Sequence, residues 1–311
     1  MRIDPDGLSA YAESLAASGA PAGASADQHG DEQSAPDPGR QRIGDDEATA
    51  AFVISLDAIN FGSGWFPTLR KRPGLSGYHT VASAWRDHHE SLGALDAEAL
   101  TSLTRAECCR IFNQPDHEDE PAAELMELFA SALNDLGAFL LEEHDGSFLA
   151  LVAVADHSAA SLVGILDRIP YFHDVPEYHG VDVPLYKRAQ ITAMDLSAAF
   201  DGDGPGRFDD LDRLTMFADN LVPHVLRVDG VLDVDAELVA RIEAGELIPP
   251  GTDPEVELRA LSVHAVDRLV DELRQRGVET TAGQLDTLLW NRGAGERYKS
   301  RPRHRTRTVA Y

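Results

Sequence analysis

The stretch PAAELMELFASALNDLGAFLL, residues 121–141, decides the fold class. Leu125, Leu128, Phe129, Leu133, Leu136, Phe139 and Leu140 recur at steps of three and four, which brings them to one face of an α-helix. Pro121 suits the first position of that helix, where its missing N–H would have no intrahelical partner. The same periodicity extends in both directions. Upstream, residues 48–59 read as a buried helix carrying Phe52, Val53, Leu56 and Ile59. Downstream, helices start at Asp156-His157 and at Pro184, and a third spans 235–244 and closes at Gly245. A long helix over 255–276 carries Leu258, Leu261, Ala265, Leu269 and Leu273 and closes at Gly277. Thr281 and Gln284 stand in capping-box register, starting a last helix that runs to Trp290. Strand signals are few, with 148–153 and 306–311 as the two candidates. The pattern predicts a mainly α protein: a single helical domain over residues 46–311 with at most a few short strands.

Residues 1–45 are rich in Ala, Gly, Ser, Asp and Pro and predict a low-complexity, flexible N-terminal segment, with a short helix admitted over 7–18. The first residues are acidic and polar, so they do not read as a secretory signal, and no apolar run approaches the roughly 20 residues that span a bilayer. The expectation is a cytoplasmic protein with no membrane partner. Cys108 and Cys109 are adjacent and are the only thiols, which predicts reduced, structural residues and no zinc site.

The formal charge of −26 repels polyanions, so no direct nucleic-acid partner is expected. An Asp-rich surface in which Lys occurs only at 71, 187 and 299 also suits a high-salt or GC-rich host. The charge is uneven. Arg292, Arg297, Lys299, Arg301, Arg303, Arg305 and Arg307 crowd the C-terminal tail, with Glu296 the one acid among them. Two readings stand: a tail held to an acidic body by charge, or an anion site for a phosphate built where the tail folds back.

Phosphate-binding glycine loops, dinucleotide turns, HExxH and nucleophile elbows are all absent from the sequence. His88-His89-Glu90 cannot imitate a metal helix, because adjacent residues point in different directions. Three carboxylate-bearing stretches remain. In 214–223, Leu211, Leu214 and Leu221 suggest a helix that Pro223 must kink or stop near Asp219, so Phe217 and Asp219 can face one cavity. An aromatic plate beside a carboxylate suits a guanine-like base: the ring stacks, and the carboxylate accepts from the base N–H groups. The competing reading is a core Phe beside a solvent-facing Asp. In 184–195, Lys187, Ile191 and Asp195 share a helical face; a retained lysine in a chain that prefers Arg suits a phosphate or a catalytic carboxylate, and the alternative is a surface ion pair. In 284–290, Asp286 lies on a stripe with Leu289 and Trp290, a desolvated carboxylate that is either functional or simply flanking.

Taken together, these stretches resemble the queuosine salvage protein family, long a domain of unknown function and now regarded as queuosine 5′-phosphate N-glycosylase/hydrolases. The resemblance rests on LDAINF at 56–61, SGY at 76–78, LG at 136–137 through GSFL at 146–149, and YKRAQI at 186–191. It continues with LTMFAD at 214–219, PHVL at 223–226, LDTLLW at 285–290 and HRTR at 304–307. It implies a mostly helical fold similar in part to helical DNA glycosylases, and an enzyme, with no cofactor and no metal, whose partner is a small nucleotide. It further implies that Asp286 stabilises the charge developing on the ribose, that Asp219 binds the base edge, that Phe217 stacks and that Lys187 steers the 5′-phosphate or holds a carboxylate ionised. Candidate substrate contacts are Asp195, Tyr186, Asn60, Tyr78 and Trp290, with Arg303, His304 and Arg305 as phosphate candidates. Three departures from relatives stand out: Asn291 follows Trp290 where eukaryotic relatives carry Asp, Asn60-Phe61 runs into Gly62-Ser63-Gly64-Trp65, and His29 is the stand-in for an N-terminal histidine. The readings left beside this one are a helical glycosylase acting on a nucleic acid and a non-catalytic binder of a 7-deazaguanine nucleoside.

Overall fold

The computed structural model describes residues 1–19 and 40–311. The fold is mainly α. In chain order the helices are α1 (Pro5–Ala17), α2 (Asp46–Ala58), α3 (Gly77–Leu92), α4 (Ala97–Thr101), α5 (Arg105–Ile111), α6 (Pro121–Glu143) and α7 (Phe148–Val154). They continue with α8 (Ala159–Leu166), α9 (Lys187–Ala199), α10 (Val222–Val228), α11 (Ala236–Glu243), α12 (Asp253–Gln275), α13 (Ala282–Arg292) and α14 (Glu296–Lys299). Among the described residues the strands form two short antiparallel pairs: β1 (Arg2–Ile3) with β4 (Leu232–Asp233), and β2 (Glu177–Tyr178) with β3 (Val181–Asp182).

The residues gather into two compact units. One takes the N-terminal residues, Val175–Lys187 and Asp212–Arg307; the other takes residues 40–174, Arg188–Leu211 and Thr308–Tyr311. The chain passes from one to the other several times, so no single linker marks a boundary in the composition.

In the first unit, α1 packs with α10, α12 and α13 around Leu8, Tyr11, Leu15, Val225, Leu226, Leu269 and Leu285. The short helix admitted over 7–18 is present as α1, which starts at Pro5 and is preceded by β1, and Leu8, Ala12 and Leu15 are fully buried. Asp4 caps α1 through the N–H groups of Asp6 and Gly7 at 2.9 and 3.1 Å, and Pro5 takes the first turn. Gly7 is required by close approach, since a Cβ there would sit 2.0 Å from the Gly230 carbonyl oxygen.

In the second unit the apolar stripe of α6, including Leu125, Phe129, Leu133, Leu136 and Leu140, is buried. Two strand expectations are corrected. Residues 148–153 lie in α7, because its N-terminus is satisfied by carboxylate and hydroxyl acceptors. Ser147 Oγ accepts from the Ala150 N–H, and Glu47 accepts from the N–H groups of Phe148 and Leu149 at 2.7 and 3.1 Å. The 306–311 tail forms no named strand; an isolated parallel bridge joins Leu247 to Arg305. Both cysteines are free and buried, with burial pushing the Cys108 thiol up to about 12. Among the described residues no helix is long and apolar enough to cross a membrane.

Candidate active site

The segment 214–220 is built differently from the helix expected there. A short 3-10 turn at Leu211–Arg213 is followed by backbone without regular structure, and α10 begins at Val222. Pro223 therefore stands in the first turn of a new helix, where its missing N–H costs nothing, and breaks no earlier one.

Irregular buried backbone must find partners for its polar groups elsewhere. Here side chains supply them. The Phe217 N–H donates to Asp286 Oδ1 at 3.0 Å. Arg259 Nε donates to the Ala218 carbonyl at 2.9 Å, and Asn220 Nδ2 donates to the His304 carbonyl at 3.0 Å. Asp219 Oδ1 accepts from the N–H groups of Leu221 and Val222 at 2.8 and 3.0 Å, tying the segment to the start of α10. Met216 and Ala218 pack into the core of the first unit, Phe217 is buried as well, and Asp219 is half-buried.

Asp219 is the electrostatic centre. Burial pushes its carboxyl above the ordinary range; Lys187, the two backbone N–H groups and Arg303 pull it back down. Lys187 is buried as the first residue of α9. Tyr186 before it adopts φ +48°, a left-handed conformation that costs a tyrosine roughly 1–2 kcal/mol. That bend leads the chain into α9, whose first residue acts on Asp219 through its charge. Asp286 is buried on α13, whose N-terminus is the capping box expected from Thr281 and Gln284. Trp290, one turn further along, is half-buried against the core.

The basic tail supplies the remaining cation. Burial lowers the pKa of Arg303, and the charge of Asp219 raises it. His304 is buried and pushed down to about 3, mainly by desolvation. Arg305 donates to the Gly245 carbonyl at 2.7 Å, so its guanidinium is engaged by backbone. Positions 187, 217, 219, 286 and 303 thus lie around one short segment of the first unit.

The other candidates lie in the second unit. Asp195 is buried on α9 and pairs with Arg40 Nε at 2.9 Å. Asn60 Nδ2 donates to Asp57 Oδ1 at 3.2 Å. Tyr78 is half-buried in the first turn of α3, its ring 5.3 Å from that of His79. His29 lies outside the described residues.

Sequence reasoning missed Arg259 and its buried partner Glu255, 3.6 Å away. The signal was available: the two are four apart on the same face of α12 as Leu258, Ser262 and Val266. Among the described residues no cluster of three His, Cys, Asp or Glu side chains could hold a metal ion.

A family model described as queuosine salvage protein matches residues 41–311. The chain belongs to the queuosine salvage protein family. Curated relatives agree. A protein of Sphaerobacter thermophilus, named queuosine 5′-phosphate N-glycosylase/hydrolase, is 38% identical over 270 residues, covering 85% of this chain and 82% of its own. Proteins of the same name from Dictyostelium discoideum and Bos taurus are 32% and 33% identical, over 85% and 86% of this chain and 79% and 83% of theirs. In this member of the queuosine salvage family, the stretches YKRAQI and LTMFAD bring Lys187, Phe217 and Asp219 into the first unit.

Proposed function

We propose that this chain hydrolyses the N-glycosidic bond of queuosine 5′-phosphate, releasing queuine for salvage into tRNA. The observation that carries the reading is the pinned segment itself: Phe217 held through its backbone by Asp286, and Asp219 held by the head of α10 with the charges of Lys187 and Arg303 acting on it.

In the reaction the bond between the ribose C1′ and the base nitrogen breaks, and its electron pair leaves with the base. Water supplies hydroxide to C1′ and a proton to the base, giving ribose 5-phosphate and free queuine. Positive charge develops on the sugar and negative charge on the base. Asp286 stabilises the first as a buried carboxylate. A 7-deazapurine has carbon at position 7, so the usual protonation of a purine leaving group there cannot occur. Recognition of the base edge then carries more of the work. Phe217 stacks on the ring, and ionised Asp219 accepts its N–H groups. Lys187 and Arg303 favour that ionised form against desolvation.

Asp219→Asn and Asp286→Asn keep an amide oxygen to accept the backbone N–H groups, so both variants fold. Each loses queuine release by about 10²–10³-fold, the scale of one removed electrostatic stabiliser. Mass spectrometry of free base from queuosine 5′-phosphate checks this. Near-normal turnover by either variant overturns the role given to its residue, and a bound but uncleaved nucleotide with the native chain would make the protein a binder.

A further inference from the structure

The tail that carries Arg303 is held by one helical face. Asn220, His224 and Arg227 stand at i, i+4 and i+7, on and just before α10, and each bonds a carbonyl of the tail. Asn220 Nδ2 donates to the His304 carbonyl at 3.0 Å, and Arg227 donates to the Pro302 carbonyl at 2.8 Å. His224 Nε2 meets the Tyr298 carbonyl at 3.0 Å. The carbonyls immediately before and after Arg303 are therefore both fixed.

The histidine is the keystone of this arrangement. Its Nδ1 lies 3.2 Å from Arg227, which can only donate, and its Nε2 faces a carbonyl, which can only accept. Only the neutral imidazole with hydrogen on Nε2 satisfies both. Burial keeps it so, pushing its pKa down to about 4. One guanidinium group of Arg227 thus bridges an imidazole and a tail carbonyl, and cannot move without releasing one of them.

We propose that His224 and Arg227 are positioning residues, which act on the reaction by holding the tail on either side of Arg303, so that the charge of Arg303 keeps its place relative to Asp219. The inference rests on the functional reading above, in which ionised Asp219 receives the base. The charged groups acting on that carboxyl are Lys187 from α9 and Arg303 from the tail, with the Leu221 and Val222 N–H groups at the head of α10. Loosening the clamp removes one of the two cations and leaves the rest in place.

The test is a double-mutant cycle on kcat/KM for queuine release from queuosine 5′-phosphate across pH, with Tm measured alongside. Arg303→Met moves the acid limb of the profile to higher pH, because Asp219 then ionises later. Arg227→Met moves it the same way by a smaller amount, and Arg227→Lys recovers part of the loss. The double variant matches Arg303→Met alone, since Arg227 acts through Arg303. Additive losses in the double variant, or an Arg227→Met protein with lowered Tm and an unmoved limb, overturn the clamp while the functional reading stands. A native chain that releases no queuine overturns the functional reading, and the clamp's catalytic role falls with it.

Discussion

In α6, backbone hydrogen bonds close within the helix, and Leu125, Phe129, Leu133, Leu136 and Leu140 fix its position by burial. In residues 214–220 the backbone is held instead by the side chains of Asp286 and Arg259, up to 69 residues away, while Asn220 reaches from the segment to a carbonyl of the tail. The first arrangement is non-directional and tolerant: any apolar residue of about the right volume serves. The second is directional, and each bond leaves a buried polar group stranded if its partner is removed. The first builds a scaffold; the second places Phe217 and Asp219 to within a hydrogen bond's tolerance.

Protons act strongly on the polar arrangement, because titratable side chains are buried around it. His224 and His304 are buried neutral, with values of about 4 and about 3. Their folded pKa lies below the unfolded value of about 6.5, so the unfolded chain binds more protons in that interval. The stability they contribute is present above about pH 6.5 and is lost as pH falls towards about 4, at about 1.4 kcal/mol per pH unit for each histidine. Asp219 works in the opposite sense: its carboxyl is raised, so its contribution is present at low pH and fades as pH rises. Urea unfolding at pH 7 and pH 5.5 measures the balance. The lowered histidines, with His89 of α3 also at about 4, outnumber the raised carboxyls of Asp135, Asp219 and Asp267 and set the sign, and a flat stability between those two values contradicts it.

Substitution sharpens the same contrast. Arg259→Met strands the Ala218 carbonyl and leaves Glu255 buried without its cation, a loss of about 3–5 kcal/mol. It also frees the segment between Phe217 and Asp219, so the remaining folded protein turns over more slowly. Leu133→Ala in α6 costs about 3 kcal/mol through the cavity it leaves, but folded molecules keep their kcat. Chemical denaturation gives both stabilities, and kcat per folded molecule gives the distinction. Equal kcat losses in the two variants would mean that the site is no more precisely held than the scaffold.

This contrast explains what the sequence made legible. Local periodicity revealed α6, α12 and the capping box of α13, because the interactions that form them lie within a few residues. Asp286, Phe217 and Asp219 were legible as an aromatic and two acids, and the family resemblance joined them. The path of 214–220 was not, since Leu211, Leu214 and Leu221 have helical spacing and only Arg259 and Asp286, far along the chain, make an irregular path affordable. The 148–153 error has the same origin: Glu47, a hundred residues upstream, caps α7. In α1 the stripe of Leu8, Tyr11 and Leu15 was present, but Ala, Gly and Ser around it gave the composition of a linker.

The smallest effect tests where the two arrangements meet. Thr281 and Gln284 cap α13 by a local device, and Asp286 on the same helix holds Phe217 by a distant one. Thr281→Ala removes the side-chain acceptor for the Gln284 N–H and costs about 1 kcal/mol of stability. Fraying from that end reaches the first turn before it reaches Asp286. The carboxylate is anchored independently by the Phe217 N–H, and its helical neighbours Leu285 and Leu289 are buried in the core. A lowered Tm with unchanged kcat/KM is therefore expected. If queuine release falls along with Tm, the orientation of Asp286 is inherited from the helix terminus, and the bond to Phe217 follows from that orientation instead of securing it.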